Sequence, residues 1–287
     1  MYNTENHTKN KLSRINNLPA FPSIMMEVSN LLENKTVTNF DLVKIINKDQ
    51  GLTAKILSIA NSPFYGLSRK VSTVDFAITI VGFKELKNVI LTLTILEVVK
   101  GNDSPHWNRK SFWLHSLLTA GMCKRISENT GYPKIGESFT AGLLHDLGIS
   151  AIQKYFEKEF NDIYELYNTK HSNHLSVEKE ILGLTHEEMG FHLVSKWNFP
   201  EPIINAIRHH HSPSESENKT LSSILNLADY VASSINMEGY EWDDELNLDL
   251  NIIEYLKFGT EERLREYIKD LNSILLINLE DLKDEID

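Results

Sequence analysis

Ala141-Gly142-Leu143-Leu144-His145-Asp146-Leu147-Gly148 sets an imidazole beside a carboxylate at the end of a run that is otherwise small and apolar. A histidine nitrogen and an aspartate oxygen are ligand types that can share a divalent metal. The same pair also suits a core histidine bonded to a neighbour, so its meaning depends on the other histidines.

Eleven histidines are present. His7, His106, His171 and His174 lie in polar or loop context and are given no role. His115 falls on the stripe Phe112, His115, Thr119, Met122, Ile126, which at helical spacing is a buried face. Thr185 and Glu188 form a capping box that starts a helix at His186, and Met189, Leu193 and Trp197 continue its inward face. Gly190, one turn on, leaves room for a close neighbour. His192 is rotated about 240° from His186 at 100° per residue and points elsewhere. His209, His210 and His211 close a helix before Ser212-Pro213, where a histidine also interacts favourably with the helix dipole. Asp229 lies on the apolar stripe Leu221, Leu225, Asp229, Ala232, and a carboxylate there needs a cation, a donor or a metal.

Each of these residues alone reads more simply as a satisfied core group. Together, His115, His145, Asp146, His186, His210, His211 and Asp229 form a set with mixed nitrogen and oxygen donors. Such a set suits iron, manganese or zinc better than magnesium, and seven side chains are enough for one ion or for two bridged ones.

The remaining chain reads as helices. Leu18-Pro19-Ala20-Phe21-Pro22-Ser23 leads into a helix carrying Ile24, Met25, Val28, Leu31 and Leu32 at helical spacing, with Pro22 in its first turn. Thr38 and Asp41 cap a second helix through Ile46, ended by Lys48-Asp49-Gln50-Gly51. Leu52–Ala60 forms a third, stopped by Asn61-Ser62-Pro63. Thr73–Val81 and Phe83–Val99 follow, separated at Gly82. Gly101-Asn102-Asp103-Ser104-Pro105 reads as a boundary. Beyond it the expected helices are Ser111–Asn129, Gly136–Leu147, Ser150–Tyr167, Ser176–Leu182, His186–Trp197, Glu201–His211, Thr220–Ile235 and a helical portion from Leu250 to Asp287 broken at Gly259. Period-two alternation and hairpin dipeptides are missing, so a β-rich fold is excluded.

The expected organisation is a flexible N-terminus at 1–17, a helical bundle at 18–101, a second helical subdomain at 106–235 and an acidic helical extension at 236–287. The 287 residues carry a net charge of −11. Residues 237–287 hold 16 acidic and 5 basic residues, leaving 24 of each elsewhere. No basic face suits a nucleic-acid backbone, so a nucleic-acid partner is not expected. Val89–Val99 is too short to span a bilayer, and no membrane partner is expected. A single cysteine, Cys123, and the polar start Met1–Lys11 fit a cytoplasmic protein.

The series His115, His145-Asp146, His186, His210-His211, Asp229 is similar to the metal-binding pattern of the HD superfamily of phosphohydrolases. Leu18 to Pro22, Lys48 to Leu57, Ala60-Asn61-Ser62 with Phe64-Tyr65-Gly66, and Ala77 to Gly82 resemble the first half of its HDOD subgroup, found in bacterial signalling. Trp113 with His115-Ser116, Ala141 to Gly148, Gly183, His186, Gly190, Trp197 with Pro200, and His210-His211 resemble the second. Outside the ligand set, Asn61, Pro63 and Gly66 read as turn formers and Trp113 and Trp197 as core fillers.

The resemblance implies an all-α, multi-helix HDOD fold, an N-terminal bundle packed on an HD-like subdomain. It implies a bacterial signalling output or regulatory module that binds one or two divalent ions and acts through signalling proteins, with a nucleotide or phosphate as a further ligand. The related cyclic di-GMP phosphodiesterases carry a lysine after the His-Asp-Leu-Gly motif and a Gly-Tyr-Pro segment. Ile149 stands at the lysine position here, and Gly131-Tyr132-Pro133 lies upstream of His145. Isoleucine cannot polarise a phosphate. The expectation is therefore metal without that chemistry, with no catalytic residue assigned. The alternative is a metal-dependent phosphohydrolase of a nucleotide or other phosphate ester, with Asp146 bridging or orienting the attacking water.

Overall fold

The computed structural model describes residues 4–14, 38–62, 65, 67, 70–83, 85–86, 89–90, 92–93, 96, 103–170, 173–197, 199–234, 242 and 248–286. The fold is all-α, and its only β-type pairing among these residues is an isolated bridge between Ser104 and Trp107. The expected helix at Ile24–Leu32, its lead-in from Leu18, and the Phe64 and Gly66 positions lie outside the described residues. The chain divides into two units: Met1–Asn16 with Val99–Leu276, and Asn17–Val98 with Ile277–Asp287.

In the smaller unit, α2 (Asn39–Ile46) starts at a capping box in which Thr38 and Asp41 satisfy each other's backbone N–H, as expected from sequence. Lys48–Gly51 does more than end that helix. Asp49 accepts the Leu52 N–H at 2.9 Å and so starts α3 (Gln50–Asn61), drawing Gln50 and Gly51 into it. Asn61 then clamps the turn, donating to the Val71 carbonyl at 2.9 Å and accepting the Val71 N–H at 2.6 Å. Thr73 caps α4 (Val74–Val81), which ends at Gly82 with φ +93°. The described residues between 83 and 96 continue as helix.

The larger unit holds every candidate ligand. Its first described element is helix α1 (Thr4–Arg14), tied down where the buried Thr8 hydroxyl donates to the Leu182 carbonyl at 2.7 Å. Its longest internal element is α5 (Arg109–Thr130), capped by Asn108 and closed by Gly131 in the left-handed region. The helix expected over Gly136–Leu147 breaks into α6 (Ile135–Leu144) and α7 (Leu147–Tyr155), with Asp146 at φ −94°, ψ 16° between them. The stretch Ser150–Tyr167 also breaks, because Phe156 leaves helical geometry and is buried before α8 (Glu157–Lys170) begins.

The chain continues through α9 (His174–Leu182), α10 (His186–Lys196) and α11 (Glu201–Arg208). It then forms a short 3₁₀ turn at Pro213–Glu215, α12 (Lys219–Ser233), α13 (Ile252–Tyr255) and α14 (Glu261–Ile286). Helix α11 ends three residues earlier than expected, so His210 and His211 lie in a turn and do not form its last helical turn.

Two glycines of the opening stretch explain how these helices approach so closely. A Cβ on Gly142 would stand 2.6 Å from the Ala120 Cα of α5. On Gly148 it would stand 2.0 Å from the His186 carbonyl oxygen at the start of α10. Any side chain at either position would force the backbones apart.

Candidate metal centre

All seven candidate ligands converge in the larger unit. His115 comes from α5, His145 and Asp146 from the α6–α7 junction, His186 from the first residue of α10, His210 and His211 from the turn after α11, and Asp229 from α12. His115, His145, Asp146, His186 and His210 are all at most 1% exposed, and Asp229 is 5% exposed. His211 is half-buried.

The side chains sort into two groups with Asp146 between them. On one side, His115 Nε2 lies 3.2 Å from His145 Nε2 and 3.1 Å from Asp229 Oδ1. His145 Nε2 lies 3.2 Å from the same Asp229 oxygen and 3.0 Å from Asp146 Oδ2. On the other side, His186 Nε2 lies 3.3 Å from His210 Nε2 and 3.1 Å from His211 Nε2. Asp146 turns Oδ1 toward this second group, 3.7 Å from His186 and 3.6 Å from His210. One carboxylate therefore offers a separate oxygen to each group.

The opposite ring nitrogens decide what faces inward. His145 Nδ1 sits 2.8 Å from the Gly142 carbonyl, and His210 Nδ1 sits 2.8 Å from the Ile207 carbonyl. A carbonyl only accepts, so both Nδ1 atoms carry the proton and a neutral ring presents a lone pair at Nε2. His186 Nδ1 likewise donates to Glu178, 2.9 Å from Oε1. In the neutral rings the His186 and His210 lone pairs meet at 3.3 Å. That arrangement needs a cation between them, either a proton or a metal.

The electrostatics say the same. Burial works against charge on His145, but Asp146 and Asp229 overcome it and hold its pKa well above the usual histidine value. His186 is raised to about 9, with Glu178 outweighing burial. Burial and the neighbouring His211 lower His210. Burial opposes ionisation of Asp146 and Asp229, yet the surrounding histidines hold both below the ordinary carboxylate range. The cluster thus favours positive charge, and buried carboxylates of this kind are stable only when paired or coordinated. Two groups of donors could hold a divalent ion, His115, His145 and Asp146 with Asp229 beside them, and His186, His210 and His211 with the other Asp146 oxygen facing them.

Sequence reasoning missed the residues behind the ligands. Glu178 is fully buried and holds both the His186 ring and its backbone N–H, the latter at 2.6 Å. A signal for it was present: His174, Glu178 and Leu182 recur at helical spacing, and all three are buried, so a carboxylate on that face raises the same question as Asp229. His174 is a buried ring stacked on Tyr167 at 3.5 Å and does not belong to a polar connection. Glu187 accepts the His211 N–H at 3.1 Å. Trp113 and Trp197 are only half-buried, while Trp107 and Trp242 are the buried indoles. His192 and His209 stay outside the cluster, both half-buried.

An all-helical protein whose histidines and aspartates converge in one buried cluster matches the HD type. The chain is a member of the HDOD domain family, whose model matches residues 18–213. A structure of an HDOD domain protein of unknown function from Geobacter sulfurreducens superimposes with a TM-score of 0.74 at 25% identity, covering 97% of this chain and 96% of that one. A candidate phosphohydrolase from Shewanella amazonensis SB2B superimposes with a TM-score of 0.71 at 20% identity, over 96% and 98%. An uncharacterized protein of Treponema pallidum is 26% identical over 264 residues, 91% of this chain, which spans half of that protein's length. No described helix is long and apolar enough to cross a membrane.

Proposed function

We propose that this chain is a signalling module that carries an HD-type centre for two divalent ions and works through partner proteins. The observation that carries the reading is Asp146, whose two oxygens face two separate histidine groups. A single-ion site needs no such division. Iron, manganese or zinc matches the donors better than magnesium. Ile149 is fully buried, so the position where cyclic di-GMP phosphodiesterases carry a lysine offers no cation to a phosphate. This supports a module without that particular hydrolysis.

Metal analysis of untagged protein tests the reading. The expected result is two ions per chain in the wild type and loss of both in Asp146→Ala. Wild-type protein that takes up no ion, or an Asp146→Ala variant with unchanged metal content, would overturn it.

A second reading, a metal-dependent phosphohydrolase, is favoured by the half-exposed His211, which opens the second group toward solvent while its partners are buried. Bound divalent ions supply Lewis acidity toward a phosphate ester and lower the pKa of water. In this reading Asp146 holds the two halves of the site together, and His211 lies at the side where a substrate arrives. The likeness to the Shewanella protein agrees with it. The discriminating measurement is turnover of nucleotides and phosphate esters by the loaded protein. Hydrolysis that vanishes on chelation supports this reading, and hydrolysis that survives chelation excludes it.

A further inference from the structure

Two hydrogen-bond routes lead from Trp242 and Asp249 to the second ligand group. In the first, the Trp242 indole N–H donates to Glu178 Oε1 at 2.7 Å, and Glu178 holds the His186 ring through Nδ1. The indole is kept in place by Phe160, stacked at 4.3 Å, and by His174 at 5.2 Å. In the second, the Asp249 backbone N–H donates to Asn226 Oδ1 at 3.1 Å, and Asn226 Nδ2 donates to the His210 carbonyl at 2.8 Å. The Asp249 carboxylate in turn accepts the Ser214 hydroxyl at 2.6 Å, three residues beyond His211.

Both routes end on His186 or His210. The first group is supported differently, through the Gly142 carbonyl behind His145 and the Ser233 hydroxyl at Asp229. Trp242 and Asp249 also lie beyond residue 213, where the family match ends.

We propose that Trp242, through Glu178, and Asp249, through Asn226, are positioning residues for the second ion alone, so that these two residues set its affinity without altering the first. The proposal rests on the two-ion reading above. Without the indole N–H, the Glu178 carboxylate that orients the His186 ring loses a restraint, and without the Asn226 amide the backbone carrying His210 loses its anchor, so the directed lone pairs on which metal bonds depend are less well held. Removal of such an outer partner typically weakens metal binding by ~10–100-fold.

The test is calorimetric titration of Mn²⁺ into the chelator-stripped full chain. Wild type is expected to show two binding events, and His186→Ala identifies the second by abolishing it. Trp242→Phe keeps the stacked ring and removes the N–H donor. Because Glu178 itself remains, it is expected to weaken that same event by about 10-fold, the lower end of that range. Asn226→Ala tests the other route with the same expectation. In each variant the unchanged first event doubles as proof of an intact fold. Two wild-type events with both variants unchanged, or with both events weakened equally, overturn the proposal. Fewer than two wild-type events overturn the two-ion reading and this proposal with it.

Discussion

The two halves of the centre are built from different material. The first group draws on α5 and the middle of α12, with His145 and Asp146 in the two-residue turn that joins α6 directly to α7, so its ligands sit on or immediately between packed helices. The second draws on the first residue of α10 and on a turn, and it depends on Glu178, Glu187 and Asn226 to hold ring and backbone in place. The lesson is that rigidity reaches the first half through the helices themselves and the second through added hydrogen bonds. The second half also has the half-exposed histidine, so any exchange with solvent is expected there.

Replacing one ligand on each side breaks the comparison most severely. His145→Ala is expected to remove the first ion and His210→Ala the second, each with a loss greater than the ~10–100-fold typical of outer-shell changes. Metal content per chain reads the result. If either substitution removes both ions equally, the halves are not separable.

Gly148→Ala sharpens the contrast through packing. The added methyl meets the His186 carbonyl oxygen, so α10 must move and the second half with it. A stability loss of about 1–3 kcal/mol is expected by overpacking. Thermal unfolding and metal titration check it, with the second ion weakened more than the first.

The smallest effect expected is one of pH. In the metal-free protein His186 titrates near 9, because Glu178 outweighs burial. A raised pKa contributes stability that is complete below the unfolded value of ~6.5 and fades as pH rises through about 9. Stripped protein should therefore melt at lower temperature at pH ~9 than at pH ~6.5. Metal binding takes the neutral ring and releases its proton, so affinity should rise over the same window. Melting curves of stripped and loaded protein measure both signs, and parallel curves would contradict the assignment.

Much of this was legible in the chain itself. Thr38 with Asp41 and Thr185 with Glu188 are local devices, and both capping boxes form as the sequence spelled them. The inward stripe of α12 placed Asp229, and that of α5 placed His115, because helical spacing alone decides which side chains share a face. Local pattern failed where a distant contact took over. Phe156 is buried where helical periodicity would have carried the chain straight on. His210 bonds the Ile207 carbonyl in a turn instead of extending α11.

By itself, then, the sequence determined an all-helical chain, the faces its helices bury, and the histidine and aspartate set on those faces. These follow from spacing and capping, which act over a few residues. Tertiary structure alone decided that Asp146 divides its oxygens between two groups, and that Glu178, Asn226 and Trp242 stand behind only one of them. The physical reason is reach. Asp146 meets His186 and His210 across 40 and 64 positions of chain, and Trp242 meets Glu178 across 64. The contact of Asp146 with His186 comes about where Gly148 lets α7 close on the start of α10.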